Sequence, residues 1–233
     1  MLTSRQKDIL EILKVKNSVS VYELSKTLFV TEMTIRRDLI EMEKGGFLRR
    51  YRGGAVLKIN VGEMPISQRL LLYKEEKEAL ASRCKPFLHD DITVFIDSSS
   101  TCQFILQHLS ELSKVTVVTN SVSSLLMASK LHIPTILIGG DYYEQDMCMV
   151  GPLAEQYTSN LNVDVAFLTT AGISNEGIIS DFDLKQTSVR KIVMKNAKQN
   201  VFLFEADKIG KKFLYTLCNA KEVTKVITLN NNF

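Results

Sequence analysis

"TEMTIRRDLIEMEKGGFLRRYRGGA", residues 31–55, gathers six Arg or Lys side chains around a short amphipathic pattern and ends in Arg-Arg-Tyr-Arg-Gly-Gly. Ile35, Leu39 and Met42 fall at i, i+4 and i+7, the spacing of one helical face. Thr31 stands where an N-cap belongs. Gly45-Gly46 stops the helix, because glycine readily takes the left-handed conformation that ends helices. With the apolar trio turned to a core, Arg37 points roughly opposite and Arg36 to the flank, while Glu32, Met33 and Thr34 form the exposed first turn. Next, "FLRRYRGGAVLKI" (47–59) alternates as a two-stranded hairpin turning at Gly53-Gly54. Arg49, Arg50 and Arg52 lie along it with no acidic residue among them.

Two further helices precede this one. Thr3-x-x-Gln6 is a capping-box pattern followed by Ile9, Ile12 and Leu13 on one face, and Ser20-x-x-Glu23 opens a short helix carrying Leu24 and Leu28. Only Phe29 and Val30 separate the second helix from the third, which is a helix-turn-helix layout. Its first-turn side chains are placed to enter a major groove, with the arginines on guanine edges or phosphates. Wing arginines would track the phosphate backbone, a salt-dependent contact that is largely blind to sequence.

The charge distribution agrees. Residues 1–58 hold 12 Lys/Arg against 7 Asp/Glu, a net of +5, whereas the remainder holds 17 against 19, a net of −2. An anionic partner is therefore expected for the first piece only. At 233 residues the chain has room for one or two domains, and its 45% hydrophobic and 24% charged residues are those of a globular protein. No apolar run approaches the ~18–20 residues of a membrane span. "MLTSRQKDIL" turns charged at once rather than forming a signal-peptide core, so a cytoplasmic location and no membrane partner are expected. Cys84, Cys102, Cys148 and Cys218 are scattered without a Cys-x-x-Cys pair, and His89, His108 and His132 are isolated. The expectation is buried thiols, no metal site and no cofactor.

"KINVGEMPISQRLLLY" (58–73) breaks the periodicity with Gly and Pro and reads as a linker between a domain of residues 1–57 and a body of residues 74–233. The body alternates helical patterns with apolar runs: "ITVFI" (92–96), "VTVV" (115–118), "TILI" (135–138), "VDVAFL" (163–168), "NVFLF" (200–204) and "KVITL" (225–229). Continuous apolar strands in alternation with helices predict an α/β fold with a mostly parallel, doubly wound sheet. Ligands of such sheets sit beyond the strand carboxyl ends. Those ends carry Asp97-Ser98-Ser99-Ser100-Thr101, Thr119-Asn120-Ser121, Gly139-Gly140, Ala171-Gly172 and Glu205-Ala206-Asp207-Lys208. Small, hydroxyl and amide groups with one Lys suit a phosphorylated polyhydroxy ligand; as helix caps and turns, each has an equally ordinary structural use.

"SVSVYELSKTLFVTEMTIRRDLIEMEKGGFLRRYRGGA" (18–55) resembles the winged-helix signature of the DeoR-type family of bacterial regulators of sugar metabolism. The body resembles that family's effector domain, related in fold to ribose-5-phosphate isomerase, through "EKEALASRC", "TVVTNS", "ILIGG", "VGPLAE", "VDVAFLTTAGIS" and "ADKIGKKF". The resemblance implies that Arg36, Arg37 and the wing arginines lie on double-stranded operator DNA. It also implies that Asp97, Ser100, Thr101, Thr119, Asn120, Gly139, Gly140, Gly172 and Lys208 line a sugar-phosphate pocket. It depicts a repressor, homodimeric or homotetrameric, released by that sugar. Where the family has Gly, this chain has Ser99, which narrows the pocket or changes its ligand; Ser100 replaces Thr, Glu205 replaces Asp, and Asp207 puts a negative charge where Ser is usual. Two alternatives use the same residues. One is a sugar-phosphate isomerase or deaminase drawing acid and base from Asp97, Glu205, Asp207 and Lys208. The other is a DNA-binding protein whose body has lost its ligand and only oligomerises.

Overall fold

A computed structural model describes residues 2–16, 18–45, 47–57, 65–70 and 73–230. The chain divides into two compact units, residues 1–73 and 74–233.

In the first unit, α1 (Ser4–Lys16) is followed by β1 (Ser18–Ser20), α2 (Val21–Thr27), α3 (Glu32–Lys44), β2 (Leu48–Tyr51) and β3 (Gly54–Leu57). The three strands form one antiparallel sheet in the order β1-β3-β2, with Val19 opposite Ala55 and Tyr51 opposite Gly54. The hairpin therefore turns at Arg52-Gly53, one residue earlier than its sequence suggests, and Gly53 takes φ +102° there. Gly54 is needed for a different reason: a Cβ on it would lie 2.4 Å from the Val19 carbonyl. Ile9, Leu13, Leu24, Ile35, Leu39, Met42 and Leu48 make the core.

The reading of Gly45 needs correcting. It ends α3 at φ −75°, not left-handed, and a Cβ there would press within 2.7 Å of the Phe47 ring. Space, not handedness, calls for glycine. Gly46 lies outside the described residues, as do 58–64 and 71–72 of the expected linker, while Ile66–Arg69 within it form the short helix α4.

The second unit contains α5 (Lys74–Ser82), β4 (Ile92–Ile96), α6 (Leu106–Leu109), β5 (Val115–Thr119), α7 (Val122–Lys130) and β6 (Thr135–Leu137). It continues with β7 (Asp141–Tyr143), β8 (Cys148–Val150), α8 (Pro152–Ser159), β9 (Val163–Leu168), β10 (Gly172–Ile173) and β11 (Ile178–Asp181). Last come α9 (Leu184–Asn196), β12 (Ala197–Leu203), β13 (Tyr215–Asn219) and β14 (Lys225–Ile227). Six strands form one wholly parallel sheet in the order β14-β12-β9-β4-β5-β6. Side chains on both faces of β9 are buried from Val165 to Leu168, as a sheet covered on both sides requires. The sequence reading had no place for β7–β8 or for the antiparallel sheet β10-β11-β13. Topologically, the strand order sets the carboxyl ends of β4, β9 and β12 side by side.

Candidate functional site

The first unit presents α3. Thr31 is its N-cap, its hydroxyl accepting the Thr34 N–H at 3.3 Å, and Ile35, Leu39 and Met42 face inward as their spacing predicts. Asp38 also faces inward, which the apolar pattern does not reveal. Its carboxylate accepts from Arg5 Nε at 2.5 Å and Nη2 at 3.2 Å, a two-point clamp between α1 and α3. Outward go Met33, 77% exposed, and Arg37, whose side chain is 82% exposed.

The cations of this face are paired with carboxylates of the same unit. Arg36 Nη2 is 3.1 Å from Glu32 Oε2, and Arg37 Nε is 3.6 Å from Glu41 Oε1. On the wing, Arg50 reaches back to Glu43 on α3, Nε to Oε2 at 2.7 Å, while its backbone N–H donates to the other oxygen at 2.8 Å. Partial burial disfavours the Glu43 charge, but the hydrogen bonds from Arg50 and the nearby Arg49 charge prevail and hold the carboxyl below its usual range. Arg49 donates to the Tyr73 hydroxyl at 2.7 Å, and Arg52 is exposed at the hairpin turn. The wing carries no acid of its own, but α3 supplies one. The α3 pairs are exposed, where such pairs contribute little, and a guanidinium has five N–H donors to share between a carboxylate and a second anion.

The second unit concentrates charge at the carboxyl ends of β4, β9 and β12. Asp97, after β4, is 1% exposed; its Oδ2 is 3.0 Å from Arg190 Nε and accepts the Thr169 N–H at 3.3 Å. Arg190, on α9, also donates through Nη1 to Asp181 Oδ2 at 2.8 Å and through Nη2 to Gln186 Oε1 at 2.9 Å. Gln186 Nε2 in turn reaches Asp146 at 2.5 Å. Burial opposes the Arg190 charge, yet Asp97 and Asp181 outweigh it and hold the guanidinium protonated.

Beside this network, Glu205 accepts from Thr101 Oγ1 at 2.5 Å and lies 3.1 Å from Lys208 Nζ, which also donates to Thr169 Oγ1 at 3.1 Å. Lys77, buried on α5, donates to Ser100 Oγ at 2.9 Å. Burial pushes the Glu205 carboxyl up, but Lys208, Lys77 and the Thr101 hydroxyl overcome it and bring the pKa to about 2. Glu76 moves the other way, raised by burial and by the Glu205 and Asp207 charges despite accepting the Ala206 N–H.

The expected site residues therefore divide. Ser100, Thr101 and Lys208 come together, with Lys77 and Glu205 as partners, and Asp97 adjoins them through Thr169. Ser99 is buried, its hydroxyl accepting the Cys102 N–H at 2.9 Å. Thr119 donates to the Ile96 carbonyl at 2.7 Å, a bond between strands. Asn120 donates to the Met149 carbonyl at 3.0 Å, and its buried Oδ1 finds no donor among the described residues. Gly139 and Gly140 follow the edge strand β6 and border a separate recess of about 380 Å3 with Leu153, Gln156 and Tyr157. Gly172 sits where a Cβ would come within 2.9 Å of Lys211 and Phe213, a packing contact.

Sequence reasoning missed Arg190, Asp181, Gln186, Asp146 and Lys77. For Arg190 a signal existed: Gln186, Thr187 and Arg190 share a helix face flanked by Val189 and Val193, polar groups on a stripe that should be buried. All four cysteines are buried, and no group of three or more His, Cys, Asp or Glu among the described residues could hold a metal ion. Among these residues no helix is long and apolar enough to cross a membrane.

Comparison with known proteins follows the same division. The family model described as DeoR C terminal sensor domain matches residues 73–229, and that described as DeoR-like helix-turn-helix domain matches residues 5–60. The HTH-type transcriptional regulator YulB of Bacillus subtilis (strain 168) is 30% identical over 98% of this chain and 89% of its own length. The glycerol-3-phosphate regulon repressor of Escherichia coli (strain K12) is 28% identical over 97% of this chain and 90% of its own. Among solved structures, ribose 5-phosphate isomerase A from Methanocaldococcus jannaschii aligns with a TM-score of 0.43 at 18% identity, over 58% of this chain and 54% of that one.

Proposed function

From a chain that belongs to the DeoR family and is a DNA-binding transcriptional repressor, we propose a regulator of a sugar-metabolism operon, released from its operator when a phosphorylated sugar binds its second unit. Residues 1–57 read the DNA, 58–73 connect, and 74–233 hold the effector and associate into a dimer or tetramer. One such module buries limited surface on DNA, and pairing half-sites supplies the missing affinity.

The observation that carries the effector assignment is the Lys208 ammonium. Its side chain is 16% exposed, and the ammonium stands at the strand ends among the hydroxyls of Thr169 and Thr101 and the Glu205 carboxylate. A cation for phosphate beside acceptors for sugar hydroxyls is what such a ligand requires. Arg190 fixes Asp97, so Asp97 shapes the site from behind. The enzyme alternative fits less well. A general base works best with a pKa near the operating pH, whereas Glu205 is held at about 2 and Asp97 is bound to Arg190. This favours a binding site without turnover.

Thermal unfolding against a panel of sugar phosphates tests the assignment. A ligand at ~100 times its dissociation constant adds ~2.7 kcal/mol to the folded state. One member should raise the melting temperature of the wild type and leave Lys208→Ala unmoved. An equal shift in both proteins would place the ligand elsewhere.

A further inference from the structure

Phe29 is 94% exposed and stands in the turn that joins α2 to α3. The end of α2 dictates its backbone. The Leu28 N–H donates to the Leu24 carbonyl at 2.9 Å, and the Val30 N–H reaches back to the Ser25 carbonyl at 3.1 Å. The first is an ordinary helical bond; the second is the 6→1 bond of a Schellman ending, which places a left-handed residue at position 29 and ordinarily receives glycine there. Phe29 takes φ +54°, a conformation that bulky side chains disfavour. Burial of the ring gives nothing back, since it lies in solvent. Neither its conformation nor its exposure helps the fold.

Four residues on, Met33 is 77% exposed in the first turn of α3, directly ahead of Arg36 and Arg37. An aromatic ring and a thioether thus bracket the Thr31 cap, continuous with the cationic face assigned to DNA. Phosphates and sugars offer such groups little. The major groove presents one apolar feature, the thymine 5-methyl.

We infer that Phe29, together with Met33, packs on thymine methyl groups of the operator, which makes a residue of the turn a determinant of sequence preference. The inference rests on the repressor reading above.

The test begins with an operator selected by the wild-type chain from a random duplex pool. Binding by fluorescence anisotropy at fixed salt is then compared between that duplex and versions carrying uracil for thymine at single positions. Burial of one methyl contributes about a fourfold change in affinity. The wild type should lose about that much at one or two positions. Phe29→Gly should bind the thymine duplex correspondingly less well and show no further loss at those positions, with an equal or higher melting temperature. Phe29→Asn, which tolerates the left-handed backbone, should behave alike. Wild-type affinity in both variants, or uracil penalties that persist in both, would overturn the inference. So would a lowered melting temperature in both, because Phe29 would then be structural. A wild type that selects no sequence at all would sink the repressor reading, and the inference with it.

Discussion

Arg190 Nε lies 3.0 Å from Asp97 Oδ2, and both side chains are closed to solvent, 5% and 2% exposed. The contact joins α9 to the end of β4 across 93 residues of sequence. Asp97 is therefore first a counter-ion, whatever its distance from the effector.

Removing one partner of a buried ion pair strands the other charge at a cost of about 3–5 kcal/mol. Asp97→Ala should lose stability on that scale in urea unfolding. Arg190→Met should lose more, because it strands both Asp97 and Asp181, whereas Asp97→Ala leaves Asp181 2.8 Å from the guanidinium. A stable Asp97→Ala protein that merely fails to respond to effector would instead make Asp97 a ligand contact with no structural duty.

Glu205 gives the fold an acid dependence. Its carboxyl titrates at about 2 in the folded chain against an ordinary value of 4.5, because Lys208, Lys77 and Thr101 outweigh the burial that opposes ionisation. A depressed carboxyl stabilises fully above the unfolded value and loses that contribution as pH falls through the folded one. Unfolding free energy should decline between about pH 4.5 and 2, and Glu205→Gln should flatten that decline. An identical pH profile in the variant would assign the acid dependence to other carboxylates.

The arginines of α3 and the wing should separate by kind. If Arg37 reads a base, Arg37→Ala weakens specific binding by ~1–3 kcal/mol and relaxes preference at one position. Arg50→Ala should weaken binding evenly across sequences and reduce the salt slope by about one ion. It would also release the Glu43 carboxylate, now 2.7 Å from Arg50 Nε, to repel phosphate. Glu43→Gln should accordingly tighten non-specific binding. Equal behaviour of the two arginines across sequence and salt would contradict the division.

Local periodicity made much of this molecule legible. Ile35, Leu39 and Met42 announced the buried face of α3, Ser20 and Glu23 the start of α2, and six apolar runs the parallel sheet, within a few residues at each end. β1 escaped because Ser18-Val19-Ser20 is too short for a pattern, and exists only by pairing with β3. β10 and β11 escaped as well: they flank Asn175-Glu176-Gly177, with Gly177 at φ +82°, but span only two and four residues, too few for a pattern.

The polar contacts were illegible for a common reason, as their partners are distant in sequence. Arg5 meets Asp38 across 33 residues, Lys77 meets Ser100 across 23, and Thr101 meets Glu205 across 104. No spacing rule relates such pairs. The Ser99 hydroxyl, which in sequence looked like an intrusion into the pocket, is already engaged with the Cys102 N–H. Resemblance pointed to one edge of the sheet; there Lys208 and Thr101 share the Glu205 carboxylate, whereas Gly172 packs against Lys211 and Phe213.

The proposed repressor binds operator DNA and lets go when its sensor domain fills. Anisotropy on the DNA upstream of its own operon, at two salt concentrations, with and without each sugar phosphate, tests this most directly. Tight, salt-sensitive binding to that fragment is expected, released by one sugar phosphate and not released in Lys208→Ala. Tight binding that no sugar phosphate alters, or release that persists unchanged in Lys208→Ala, would contradict it.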